Sequence, residues 1–283
     1  MNVFNEEKTM DKIEIIGKSK VQHGHSSNRV YLMDFHPSDF PQIIEEMENI
    51  ANNNGYTKIF AKIPSRFAPQ FFLAEYVTEA IVPRFFNGLE DALFLVKYKD
   101  SNRRKPNLLE MNSFQELLHS QINAPIIDLD RKYQLRQLNQ SDTKEMIEVF
   151  SQVFKTYPFP IFDTKFLKQE MQQGTRYFGV FLEDKLVGIS SAECNNRLKN
   201  AEMTDFAILP SQRGKKLATY LLLTMEKQLI DEGFKSFYTI ARLKSLSMNK
   251  TFMNNGYSYT GTLINNTQIN GQIESMNVWY KTV

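Results

Sequence analysis

Short alternating runs and runs of helical period succeed one another through the second half of this chain. Tyr133 to Leu138 alternates as a strand, and Asp142 with Glu145 predicts a capping box that opens a helix. Met146, Ile147, Phe150, Val153 and Phe154 give that helix an apolar face, and Tyr157-Pro158-Phe159-Pro160 breaks it. Phe166 to Met171 predicts a second short helix, stopped near Gly174. Tyr177 to Leu182 and Leu186 to Glu193 predict a hairpin around Glu183-Asp184-Lys185, and a strand follows over Ala201 to Leu209. Leu217, Leu221, Met225 and Leu229 then recur every fourth residue on a helix that continues to about Asp231. Phe237 to Ala241 reads as a strand and Ser247 to Asn254 as a helix. Tyr257 to Asn266 and Ser275 to Tyr280 close as a hairpin with Asn270-Gly271 at its turn.

The first half is a faint echo of this pattern. Gly55-Tyr56 before the strand Lys58 to Ile63 matches Gly233-Phe234 before Ser236 to Ala241, and Phe72 matches Phe252. The strands ending at Lys97-Tyr98-Lys99 match those ending at Trp279-Tyr280-Lys281, and Arg29 to Phe35 with His36-Pro37-Ser38 matches Asp205 to Leu209 with Pro210-Ser211. Between the Pro and the Gly stand 17 residues in the first half and 22 in the second, and the missing five remove an Arg-Gly-Lys-Lys turn. The echo predicts a βαβ unit over residues 29–63. Composition shifts near Tyr98 to Pro106, and Asn107 to Gln121 is helix-like and leads to Ala124-Pro125. This divides the chain into an N-terminal αβ domain over residues 1–105, a linker helix over 106–125, and a second domain from about Ile126 to the end, 126–283.

A length of 283 residues suits two domains, and 42% hydrophobic with 23% charged residues implies a well-buried core. The net charge of +2, with no basic stripe interleaved with aromatics, argues against a nucleic-acid coat. Arg103-Arg104-Lys105 reads as a solvated linker. The single cysteine, Cys194, excludes an internal disulfide and a multi-cysteine zinc site, and His23, His25, His36 and His119 lack the spacing of a helical metal pair, so no metal is expected. Met1 to Met10 is polar, without the apolar stretch of a signal peptide, and no run approaches the length of a membrane span. A cytoplasmic protein with no membrane or nucleic-acid partner is expected.

The chemistry centres on Leu209-Pro210-Ser211-Gln212-Arg213-Gly214-Lys215-Lys216-Leu217-Ala218-Thr219, a sharp turn from strand to helix. Such a turn presents free backbone N–H groups at a helix N-terminus, which is an anion site. A P-loop would need a second glycine and a dinucleotide fold three glycines, and only Gly214 is present. The turn resembles the pyrophosphate loop of the GCN5-related N-acetyltransferases (GNAT), and the β-α-α-β-β-β-α-β-α-β-β order is theirs too. Ser211 stands where that loop has Gln or Arg, and Lys216 where it has Gly or Ala; helical dihedrals at Lys216 would accommodate this.

The resemblance implies an α/β (α+β) chain whose C-terminal domain has the acyl-CoA N-acyltransferase fold with a mixed central sheet. The smaller N-terminal domain would be a degenerate half of the same unit without the loop. It also implies acetyl-CoA as co-substrate. Arg213, Gly214, Lys215, Lys216, Leu217, Ala218 and Thr219 would hold its pyrophosphate, and the backbone of Phe206, Ala207 and Ile208 its pantetheine arm. The family's next helix carries an Asn and, about seven residues later, a Tyr that donates to the sulfur. Ser245 and Phe252 stand there, so the usual acid is absent; Ser245, Tyr257 or water remain, and Asn249 is a further CoA contact. Glu202 is the favoured general base and Asp205 its rival. Strand alternation sets them on opposite faces unless a bulge intervenes.

A finer resemblance is to the β-lysine N-acetyltransferases, which acetylate the terminal amine of 3,6-diaminohexanoate and yield a compatible solute. It rests on Ala241-Arg242, Met248-Asn249, Thr251-Phe252, Gly256-Tyr257, Leu263-Ile264-Asn265-Asn266, Met276-Asn277 and Trp279-Tyr280-Lys281. His23-Gly24 and Asn28-Arg29-Val30-Tyr31-Leu32-Met33 extend it into the first domain. The implied substrate pocket has Arg242 for the carboxylate, Glu202 or Asp205 for an amine, and Tyr157, Phe159, Asn265 and Asn266 as its lining. Another amine substrate, or acetyl-CoA sensing without turnover, stays open at this point, as does a homodimer.

Overall fold

The computed structural model describes residues 11–122, 129–157, 159–269 and 271–283. Met1 to Met10, the Ala124-Pro125 junction with Ile126, Pro158 and Asn270 lie outside the described residues. The first half runs β1 (Lys12–Ile16), β2 (Ser19–Gly24), β3 (Arg29–Asp34), α1 (Gln42–Asn54), β4 (Lys58–Pro64), α2 (Ala68–Leu73), β5 (Val77–Phe86) and β6 (Glu90–Tyr98). After α3 (Leu108–Leu118), the second half has β7 (Tyr133–Gln137), α4 (Thr143–Val153), α5 (Thr164–Gln173), β8 (Thr175–Leu182), β9 (Lys185–Asn195) and β10 (Asn200–Ile208). It ends with α6 (Leu217–Asp231), β11 (Ser236–Arg242), α7 (Leu246–Asn254), β12 (Ser258–Ile269) and β13 (Gln272–Thr282).

Two sheets result, ordered β1-β2-β3-β4-β6-β5 and β7-β8-β9-β10-β11-β13-β12. From β8 onward the second order repeats the first strand for strand. In each, the central pair is parallel (β3 with β4, β10 with β11) and is joined by a helix, α1 or α6. The βαβ unit over residues 29–63 is therefore present. α1 and α2 bury Ile43, Met47 and Phe71 on one face of the first sheet. α6 buries Leu217, Leu221, Met225 and Leu229 on the second, together with Phe114 of α3.

The free faces of the two sheets meet. Phe60, Val82, Phe85 and Phe94 of the first pack on Tyr238, Leu263, Met276 and Val278 of the second. β5 lies so close to β12 that a Cβ on Gly261 would stand 1.9 Å from the Glu79 carbonyl oxygen. Lys58 reaches across, donating to Glu79 at 3.0 Å and to the Ile264 carbonyl at 2.7 Å.

Three local expectations are corrected. The capping box pairs Asn139 with Asp142 and opens a short 3-10 turn before α4; Asp142 caps the Asn139 N–H and is bound by Arg136, so it is not available to Glu145's turn. Arg103 is no solvated linker residue: its guanidinium is buried on the Asn265 carbonyl, Thr57 Oγ1 and the Ser27 carbonyl. Asn265 does not face a substrate pocket, because its amide donates to the carbonyls of Arg103 and Lys105 and ties the linker to β12.

Candidate active site

The site begins where β10 leaves β11. The parallel pairing covers only Asn200 to Glu202 opposite Ser236 to Tyr238, after which the strands part. On its other side β10 shifts register against β9 between Thr204 and Ala207, and Asp205 adopts φ +53°. This bulge resets the alternation. Thr204 and Asp205 line one cavity with Glu202, whereas Phe206 and Ile208 line another. Glu202 and Asp205 thus share a cavity, which alternation alone forbids.

The cavity beyond the bulge, about 920 Å³, is lined by Phe206, Ile208, Gln212, Arg213, Gly214, Lys216, Leu217, Ala218, Thr219, Arg242 and Ser245, among others. Gly214 has φ +79° and open space where a Cβ would be. Lys216 is not helical but left-handed (φ 59°, ψ 19°) as the residue that caps α6, a conformation that costs a side-chain-bearing residue about 1–2 kcal/mol. Among the described residues no backbone carbonyl accepts from the N–H groups of Gly214 through Thr219. Those donors, the dipole of α6 and the exposed Arg213 and Lys216 make an anion cradle. Lys215 does not line the cavity, and its ammonium donates to Gln212, which does, at 2.7 Å.

Other residues implied for CoA stand differently. Ala207 is wholly buried beneath α4, is paired with Ile189 of β9 and lines neither cavity. Asn249 is no CoA contact: it is 0% exposed, its oxygen accepts from Asn277 (2.9 Å) and Trp279 (2.8 Å), and its amide donates to the carbonyls of Arg242 and Ser245 (both 2.9 Å). It pins β11, α7 and β13 together and so holds Ser245 at the cavity wall. Phe252 is core, edge-on to Phe206 at 5.6 Å and to Tyr257 at 5.2 Å. Tyr257 lies buried beside Glu226 and lines neither cavity, which removes it as an acid. Arg242 is not a free carboxylate receptor, since it holds Glu274 by two bonds of 2.8 Å and lines the cavity of the anion cradle.

The second cavity, about 350 Å³, lies in the seam between the sheets. Tyr157, Phe159 and Asn266 line it, as the sequence implied, together with Glu202 and Asp205. The structure adds Glu193, Lys62 and Arg29, which the sequence reading did not single out, and it leaves out Asn265. Glu193 is paired directly opposite Glu202 in the β9–β10 ladder. Like charges in that relation destabilise a sheet, and this is the signal that could have found it. Lys62 is one of two cations on β4, with Lys58, and the one residue of that strand that is only partly buried.

Burial raises the Glu193 carboxyl well above the usual range, and Glu202, Asp205 and Glu170 add to this while Lys62 opposes it. Burial likewise raises Glu202, against Lys62 and a hydrogen bond from Tyr238, with Asp205 pushing further up. Asp205 is raised by burial although Tyr157 and Ser191 donate to it. Burial works against the Lys62 ammonium, but Tyr31, Glu202 and Glu193 outweigh it and raise its pKa. Lys62 donates to the Tyr238 hydroxyl at 3.0 Å, and that hydroxyl donates to Glu202. Among the described residues these carboxylates form no metal-binding group, and no helix is long and apolar enough to cross a membrane. The arrangement sets three carboxyls in one cavity and a turn with free backbone donors in another, a chemistry suited to a cationic amine and to a phosphate.

Comparison with known proteins gives a consistent picture. Residues 135–252 match the family model described as Acetyltransferase (GNAT) family. The chain is 34% identical over 279 residues to a beta-lysine N(6)-acetyltransferase of Methanococcus maripaludis, covering 96% of this chain and 99% of that one. It is 28% identical over 262 residues to the protein of that name from Methanosarcina mazei, covering 85% and 96%. With N-acetyltransferase YodP of Bacillus subtilis it shares 31% identity over 216 residues, covering 76% and 75%.

Proposed function

The chain belongs to the GNAT acetyltransferase family, and we propose that it transfers the acetyl group of acetyl-CoA to the terminal amine of β-lysine. The observation that carries this reading is the seam cavity, where Glu193, Glu202 and Asp205 gather next to the parting of β10 and β11. Likeness to the methanogen enzymes over nearly the whole chain supports the choice of amine.

In this reading the pyrophosphate sits on the N–H groups from Gly214 to Thr219, beside Arg213 and Lys216. The pantetheine arm runs along the open edge of β10, and its thioester reaches the bulge. The substrate enters as an ammonium, because a lysine-like amine has a pKa near 10.4. Glu202 accepts one proton of the ammonium, through water, and the lone pair so freed attacks the carbonyl carbon. Its raised pKa brings it nearer the working pH, where a base is most effective. The backbone N–H of Phe206 faces the developing oxyanion. The C–N bond forms, the C–S bond breaks, and CoA leaves as thiolate; the second proton of the nitrogen passes to that thiolate through solvent or the Ser245 hydroxyl. Asp205, held by Tyr157 and Ser191, keeps its charge beside the amine and orients it. The N-terminal domain, read as a partial copy of the catalytic unit, closes the pocket.

The test is thiol release from acetyl-CoA by purified protein, with β-lysine, lysine, ornithine and spermidine compared. Preferential turnover of β-lysine, with the acetyl group on its terminal amine, is expected. Preference for spermidine would overturn the substrate, and saturable acetyl-CoA binding without turnover would overturn the enzyme.

A further inference from the structure

Arg29 is a buried charge that the acetyl transfer does not use. It opens β3 and is 5% exposed, with its guanidinium against the rings of Tyr31 (5.0 Å) and Phe60 (5.9 Å). Two of its N–H groups are placed, one on the Asn266 carbonyl at 2.8 Å and one on Gln22 at 3.2 Å. Its Nε–H has no partner. Among the described residues no carboxylate forms an ion pair with it. Burial lowers its pKa to about 10, which still leaves it a cation at neutral pH. A buried cation without an anion costs stability unless a partner arrives. Arg103, also buried, differs, because its guanidinium is set on three protein oxygens and does not line the cavity.

Two neighbours complete the picture. Asn266 is 3% exposed, and its side-chain oxygen also lacks a partner. Both residues line the seam cavity. Glu202 and Glu193 of that cavity act on Lys62, Asp11 acts on Arg29, and Tyr31 acts on both. Beside Lys62 and its carboxylates, one cavity therefore also has an unpaired donor on Arg29 and an unpaired acceptor on Asn266, two residues already in contact through the Asn266 carbonyl.

We propose that Arg29 of the N-terminal domain anchors the substrate's carboxylate, with the Asn266 oxygen accepting from the amine next to it. This rests on reading the cavity as the β-lysine site, whose head group carries a carboxylate and an amine and whose tail carries the reacting amine. The N-terminal domain then selects amino acids over plain diamines, and the catalytic domain supplies the chemistry.

The experiment compares wild type, Arg29→Gln and Arg29→Lys on β-lysine and on pentane-1,4-diamine, which is β-lysine without its carboxyl group. Arg29→Gln is expected to raise KM for β-lysine about 10- to 100-fold, the range for losing hydrogen bonds to a charged group. KM for the diamine and for acetyl-CoA should stay within about twofold, and Arg29→Lys should retain part of the preference. Equal losses on both amines, or an unmoved KM for β-lysine, would overturn the proposal. Should Arg29→Gln fail to fold, judged by circular dichroism and thermal midpoint, Arg29→Lys decides alone: a KM rise confined to β-lysine supports the anchor, and any other pattern overturns it. A wild type inactive on β-lysine but active on lysine or ornithine overturns the choice of amine only. Arg29 is then judged on that amino acid against its decarboxylated diamine. Activity on carboxylate-free amines alone, or on none, overturns both.

Discussion

Replacing Lys62 by Met should move the pH dependence of the reaction in a direction and by an amount that the geometry sets. Lys62 donates to the Tyr238 hydroxyl at 3.0 Å, and that hydroxyl donates to Glu202. With an ordinary O–H···O bond of about 2.7 Å, the ammonium and the carboxylate are at most about 6 Å apart. At an effective dielectric of about 20 their attraction is about 3 kcal/mol, or about 2 pH units at 1.36 kcal/mol each. Water in the cavity screens part of this, leaving a shift of about 1–2 units. The sign follows from the chemistry. A general base works deprotonated and the substrate enters as ammonium, so kcat/KM rises with pH through the Glu202 pKa. Without Lys62, burial and Asp205 raise that pKa against the Tyr238 hydrogen bond alone, and the rising limb moves to higher pH. Asp205→Asn removes an anion that pushes Glu202 up, and should move the limb the other way. Glu202→Gln should abolish the limb and lower kcat by about 10²- to 10⁴-fold. Thiol release between pH 5 and 9 reads all three (about the range a raised carboxyl can occupy). A limb that stays in place in Lys62→Met, or that survives in Glu202→Gln, would refute the assignment.

Three further expectations concern the frame around the site. Asn249→Ala leaves the buried N–H groups of Trp279 and Asn277 without their acceptor, while the Arg242 and Ser245 carbonyls keep main-chain donors, so urea unfolding should show a loss of about 2 kcal/mol or more; a loss under about 1 kcal/mol would contradict it. Gly261→Ala drives a Cβ into the Glu79 backbone, which cannot yield as a side chain would. It should cost about 1–3 kcal/mol and raise KM for β-lysine more than KM for acetyl-CoA, and equal effects on both would deny a role for the seam in shaping the pocket. Glu193→Gln should raise the thermal midpoint at neutral pH but not in acid. The folded-state pKa of Glu193 is raised, so its charge destabilises the fold as pH climbs above the unfolded value near 4.5, and the neutral amide escapes this. A gain that is the same at both pH values would show that packing, not charge, is responsible.

The order of elements in the second half was legible because period and breakers decide it locally. The apolar repeat of α6, the left-handed stop at Gly174 and the two-residue turn at Glu183-Asp184 need no distant partner. The anion cradle was legible for the same reason, since a strand-to-helix turn with Gly214 creates its own free donors. The seam cavity was legible only in fragments. Glu202, Asp205, Tyr157, Phe159 and Asn266 do line it, but Arg242, Asn249 and Asn265 had been given ligand roles and are instead bound by protein groups.

Sequence by itself determined the two αβ halves, the loop and the acids on β10, because short-range sterics and hydrophobic period act within a few residues. Which acids share a cavity was decided by the bulge at Asp205, a register shift against β9 that alternation does not reveal. Tertiary structure also decided that Lys62 and Arg29 of the first sheet complete a pocket with β10 and β12 of the second. Those contacts join positions more than a hundred residues apart, as Lys62 with Tyr238 (a separation of 176) and Arg29 with Asn266 (237) show. They exist because each sheet has a second apolar face that must be covered, and the two faces cover one another.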